Sequence, residues 1–241
     1  MLRAEPFRPI ARFAPPEEFT RSLLLSAFRR TSGPFMHERL LPFPDPPSSA
    51  DLHGACILVA DLVGSTRLLR TLPLGQYVAL MTELIQLLIL HFEAHGAQVL
   101  QHQGDAVVCM WPPEASGRAV QAALESHVRA ADLSLATLLG LQLQLRVGLA
   151  VGEVISGPVG GMLSAYGMPV NLARRLCSTA LPGETLTCPA MRALVPGVAL
   201  AERQVRNLAG FEDFRSVWTV LAGPRPSALV SGLSDQDMNT G

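Results

Sequence analysis

The stretch "ACILVADLVGST", residues 55–66, constrains the fold most. An unbroken apolar run, "ACILVA", leads into a single carboxylate, Asp61. An apolar run of this length reads as a buried strand, and Asp61 stands where that strand ends. Leu62, Val63, Gly64, Ser65 and Thr66 then make a short turn of mostly small residues before a helical pattern begins. A hydrophobic strand that ends on an acid and then offers nearly bare backbone has brought a charge and free N–H groups to one place.

The pattern downstream predicts an element order. A strand over 55–61 is followed by helices over 65–71 and 76–95, the second ended by Gly96. Strands over 97–101 and 106–111 come next, then a helix over 115–139 ended by Gly140. In the strand expected over 142–151, Gln142, Gln144 and Arg146 alternate with Leu143, Leu145 and Val147, giving one polar face. A short strand over 153–156, a glycine-rich bend over 157–161, a helix over 169–180 and a strand over 184–188 follow, with further strands near the end. This order, βαββαβ, predicts an α+β fold with a ferredoxin-like antiparallel sheet and helices on one face. The expected divisions are a proline-rich segment with one helix and a linker over 1–52, a catalytic domain over 53–222 and a disordered tail over 223–241.

Composition excludes several classes. The formal net charge is −1, which gives no basic field for a nucleic-acid polymer. All 19 basic residues are arginine, so no reaction here uses a lysine amine. Cys56, Cys109, Cys177 and Cys188 lack metal-ligand spacing and read as buried free thiols of a reducing, cytoplasmic compartment. The most apolar run, residues 78–92, carries Glu83 and Gln86 and reads as a core helix with no membrane span. No signal peptide is expected behind Pro6, Pro9, Pro15 and Pro16.

A second acid, Asp105, follows Gly104 between two predicted strands, at the tip of a hairpin. The βαββ order sets that hairpin beside the end of the first strand, so Asp61 and Asp105 are expected to face each other. Two adjacent carboxylates repel unless a cation lies between them, and hard oxygen donors favour Mg²⁺ or Mn²⁺. The turn after Asp61 provides backbone N–H groups for a polyphosphate. The same spacing also suits an aspartate capping a helix and another in a hairpin turn. On the helix over 169–180, Asn171 and Arg175 are four apart and share a face.

The ordered set "ADLVGST", "QGDAVV", "RVGLAVGEVISGPVG", "YGMPVNLARRL" and "ALPGETLTC" resembles the class III adenylate/guanylate cyclase catalytic domain over roughly residues 55–220. The resemblance implies a homodimer with composite active sites and a nucleoside triphosphate substrate. It implies that Asp61 and Asp105 hold two divalent cations, while the partner chain supplies Asn171 to position the ribose and Arg175 for the transition state. The implied product is a 3′,5′-cyclic monophosphate with release of pyrophosphate, ATP being the first-choice substrate and GTP or a pyrimidine triphosphate the alternative. The family's base-reading lysine falls at Gln101 and its partner at Ser164. A phosphate-binding lysine would fall near Ala209, where Arg206 or Arg215 is the available cation.

Two other readings stand beside the active enzyme. One is a degenerate cyclase-type domain kept for nucleotide sensing or dimerisation. The other is a polymerase-like palm, which gives no reason for the "VNLARRL" helix. His91 and His95 are four apart, and without a third ligand they read as a solvated helix end. His102 reads as an exposed strand residue, and Trp111 and Trp218 as core or interface aromatics.

Overall fold

The computed structural model describes residues 52–159, 162–205, 208–211 and 214–222. The expected N-terminal helix, the linker, the tail, Arg206 and the tip of the glycine-rich bend lie outside these.

The first strand, β1 (Leu52–Leu62), is followed by α1 (Ser65–Thr71) and α2 (Leu74–Ala94). Then come β2 (Gln98–Gln103), β3 (Ala106–Trp111), α3 (Ser116–Ala131), α4 (Ser134–Leu138) and β4 (Leu145–Val159). The chain continues through β5 (Met162–Tyr166), α5 (Met168–Thr179), β6 (Thr185–Thr187), α6 (Met191–Leu194), β7 (Leu200–Gln204) and β8 (Ser216–Val220). The strands form one sheet in the order β2-β3-β1-β4-β6-β8-β7, with β5 paired to β4 outside this path. The first four neighbours are antiparallel, as the ferredoxin-like order requires. Beyond β4, β6 is parallel to it, and β8 and β7 close that edge.

β1 occupies the centre because its whole run from Ala55 to Ala60 is buried, at 4% exposure or less. Such a run needs cover above and below, and the cover comes from helices on both faces. Two close approaches establish this. A Cβ on Gly148 would lie 2.2 Å from the Ala173 carbonyl oxygen of α5, so α5 rests directly on β4. A Cβ on Gly54 would lie 2.8 Å from Pro113, in the turn that launches α3. Gly54 pairs with Glu153, five residues from Gly148 along the unbroken β1–β4 register, so the two contacts fall on opposite faces. The expectation of helices on one face is thus corrected. The α5 helix covers the face that α3 leaves open, because β1 and β4 are apolar on both sides.

Three other boundaries moved. The helix over 115–139 is two helices, broken at Asp132 and Leu133. The strand expected from 142 starts at Leu145 and runs 15 residues to Val159, absorbing the separate strand over 153–156. It then turns back through β5, whose partners run from Ile155↔Tyr166 to Val159↔Met162. The α2 helix has 21 residues and is long and apolar enough to cross a bilayer by length and composition. Its Leu80, Leu84, Leu88 and Phe92 are nevertheless fully buried in the domain core.

Candidate active site

Asp61 is the penultimate residue of β1, paired with Ala106 on one side and Arg146 on the other. Asp105 immediately precedes Ala106, in the turn between β2 and β3. The register therefore brings both acids to one end of the sheet, as expected. Asp61 feels the charge of Asp105. Burial pushes the Asp61 carboxyl above the usual carboxylate range and the charge of Asp105 adds to this, while the Arg146 guanidinium pulls it down. Arg146 Nη2 donates to Asp61 Oδ2 at 2.5 Å. Arg146 thus offsets only part of the effect of burial, and Asp61 stays above its ordinary value. A hard divalent cation would relieve that imbalance, so the donor set fits Mg²⁺ or Mn²⁺. Arg146 is itself only partly satisfied, since its Nε is buried without a hydrogen-bond partner.

The underside of α5 meets this corner. Cys177 Sγ donates to the Arg146 carbonyl oxygen at 3.2 Å. Burial, and next the charge of Asp61, push the Cys177 thiol up to about 12, so it stays protonated at neutral pH.

The turn after Asp61 is narrower than expected as a phosphate cradle. Leu62 still belongs to β1 and its side chain is buried at 1% exposure. The Val63 N–H is spent on the Gln144 carbonyl at 2.9 Å. Val63 therefore offers no free donor, because the sheet extends further than the sequence suggested. Gly64 adopts φ 74°, a left-handed conformation that a side chain disfavours, and it stands before the first turn of α1. Gly64, Ser65 and Thr66 keep open backbone, where first-turn N–H groups have no intrahelical acceptor.

A separate pocket of about 230 Å³ lies between β2, β3, β5 and α5. Gln101, Ser164 and Asn171 line it together, three residues that the sequence linked only through the resemblance. A bulge between Val99 and Gln101 seats Gln101 there. Neither Asp61 nor Asp105 lines this pocket. Gly104 is exposed in its turn, away from the lining. Arg175 is exposed on α5, and its neighbour Arg174 lines the pocket instead. Arg215 is exposed and Ala209 lies in an exposed turn.

Sequence reasoning missed Arg146 as a site residue and took it as one tooth of a polar strand face. The available signal was a lone guanidinium in an otherwise apolar strand two places before Gly148. Tyr166, Val170 and Arg174 were also missed, because nothing local marks them as pocket walls.

Comparison with known proteins agrees with this fold. The solved adenylyl cyclase CyaB from P. aeruginosa superposes with a TM-score of 0.68 at 18% identity, covering 72% of this chain and 96% of that one. The guanylyl cyclase Cya2 gives a TM-score of 0.66 at 22% identity, covering 73% and 96%. The guanylate cyclase domain of RhGC from Catenaria anguillulae, solved with GTP, gives 0.65 at 20%, covering 70% and 97%. At these identities the likeness is one of fold. An uncharacterized protein of Mycobacterium tuberculosis is 33% identical over 157 residues, which is 64% of this chain and 37% of that protein's length. The family profile described as the adenylate and guanylate cyclase catalytic domain matches residues 49–218. The chain belongs to the adenylate and guanylate cyclase catalytic-domain family.

Proposed function

We propose that this chain is a cytoplasmic nucleotidyl cyclase, acting as a head-to-tail homodimer on a nucleoside triphosphate, ATP first, in cyclic-nucleotide signalling. The observation that carries this reading is the meeting of Asp61 and Asp105 at one end of a buried sheet, with Arg146 bonded to Asp61. Asp61 and Asp105 would hold two divalent cations, which would supply Lewis acidity for attack of the 3′-hydroxyl on the α-phosphorus and for release of pyrophosphate.

The chain's own residues do the rest. Arg146 opposes the effect of burial on Asp61 and aims its carboxylate. The N–H groups of Gly64, Ser65 and Thr66 receive phosphate oxygens. Asn171 of the facing chain holds the ribose, and Arg175 opposes the charge that develops on the phosphoryl group. Gln101 and Ser164 meet the edge of the base. That the acids do not line the pocket of Gln101, Ser164 and Asn171 supports a composite site, in which one chain brings the acids and the other the base pocket.

A second reading, a cyclase-type domain kept for nucleotide sensing or dimerisation, is favoured by the neutral pair Gln101 and Ser164 where the family places charged readers. Incubating purified protein with Mg²⁺ or Mn²⁺ and each of ATP, GTP, CTP and UTP, and weighing the product, separates the two. A cyclic monophosphate with equimolar pyrophosphate is expected. Nucleotide binding with no product would establish the second reading.

A further inference from the structure

The end of α2 carries a cluster that the cyclase reading does not use. His91 and His95 stand one turn apart, and α3 brings Glu125 against them. One ligand atom of each residue lies within 4.8 Å of those of the other two. The expectation of a solvated helix end is corrected here, since His91 is 5% exposed and the missing third ligand comes from another helix.

We propose that His91, His95 and Glu125 bind one transition-metal ion, zinc by donor type, at the junction of α2 and α3. The ring nitrogens carry the argument. His91 Nε2 lies 2.9 Å from the Ala122 carbonyl oxygen, which can only accept, so this nitrogen carries the hydrogen. In the neutral ring, Nδ1 of His91 then holds a lone pair. His95 Nδ1 lies 2.9 Å from the His91 carbonyl oxygen, so the lone pair of His95 sits on Nε2. Glu125 Oε2 lies 3.4 Å from that nitrogen. The other oxygen of Glu125 accepts from Gln121 Nε2 at 2.9 Å. Each of the three side chains thus spends one polar atom on a hydrogen bond and keeps a second, the outer-shell pattern that fixes metal-binding histidines. The indole of Trp111 donates to the His95 carbonyl at 3.0 Å and steadies the same turn.

Two imidazoles and one carboxylate suit zinc and leave a fourth position for water; magnesium requires an oxygen shell. Zinc with bonds of about 2.0–2.1 Å draws its ligand atoms to roughly 3.4 Å apart, a closure within reach of the Glu125 side chain. That side chain is 40% exposed. Arg129, which acts electrostatically on both His91 and Glu125, opposes the ion from an exposed position. The site is distinct from the acid pair. β3 begins beside Asp105 and ends at Trp111, so the two sites lie at opposite ends of one strand, about 17 Å apart along it. A metal there ties α2 to α3 and does not enter the reaction.

The test uses the full chain, stripped by chelator and titrated with Zn²⁺ in excess Mg²⁺ by calorimetry, with Co²⁺ as an optical probe of four-coordination. One Zn²⁺ per chain is expected, with a rise in Tm. Glu125→Gln and His95→Gln should each weaken zinc at least about tenfold, while Asp61→Asn leaves zinc affinity unchanged. If His95→Gln does not fold, the exposed Glu125→Gln decides. Equal zinc affinity in wild type and Glu125→Gln, or zinc lost in Asp61→Asn, would overturn the proposal.

Discussion

The acid corner and the base pocket are built on opposite principles. At the corner, two carboxylates and a guanidinium sit within electrostatic reach, and Asp61 is bonded to Arg146 at 2.5 Å. In the pocket, Gln101, Ser164 and Asn171 offer neutral groups that each donate and accept. Charge chemistry tolerates few substitutes, because an unpaired buried charge costs several kcal/mol. Neutral amide and hydroxyl groups tolerate many partners, because they can turn. Under the proposed function, the difference separates what must be exact for turnover from what sets the choice of nucleotide.

The largest expected effect lies at the corner. Asp61→Ala and Asp105→Ala should each abolish turnover, measured as cyclic nucleotide formed in Mg²⁺ or Mn²⁺, and excess chelator should do the same to the unmodified protein. Activity retained by either variant would place the chemistry elsewhere. Mixing Asp61→Ala with Asn171→Ala, each inactive alone, should restore activity, since a heterodimer keeps one intact site. A mixture that stays dead while the chains demonstrably exchange would mean that corner and pocket serve each other within one chain.

The pocket should show the smaller, graded effect. Adenine and guanine present opposite donor and acceptor patterns, and Gln101 with Ser164 can satisfy either. The ratio of kcat/KM for ATP and GTP should fall well short of the roughly 10⁴–10⁵ reached where a buried group is left unpaired. A ratio beyond about 10⁴ in either direction would reveal a rigid reader in the pocket, with Arg174 the first residue to test.

Two stability measurements probe the scaffold that holds both regions. Gly148→Ala should cost about 3 kcal/mol or more in urea unfolding, because the added carbon meets backbone on α5 and cannot be accommodated by a side-chain shift. The smallest effect concerns pH. Burial lowers the His127 pKa from 6.5 to about 4. The unfolded chain therefore binds a proton between these values that the native state refuses, so stability is full above about 6.5 and falls as pH drops toward 4. The loss should approach about 3 kcal/mol, and His127→Gln should flatten this part of the profile.

Local features were legible because local physics fixes them. The apolar run of β1 ending on Asp61, the Gly104–Asp105 hairpin turn and the spacing of Asn171 and Arg175 all follow from patterns a few residues long. The βαββαβ order followed from the same patterns, and with it the meeting of Asp61 and Asp105, since that order leaves few ways to pair the strands. Tertiary structure alone decided the partners of each group. Asp61 and Arg146 are 85 positions apart, and only the β1–β4 register joins them. That register also took the Val63 N–H away from the expected cradle. Glu125 reached His91 and His95 because α3 packs on α2, a contact that no spacing in the chain announces. Covalent neighbours are set by the sequence directly, whereas these pairings form when apolar faces are buried together and carry their polar residues with them.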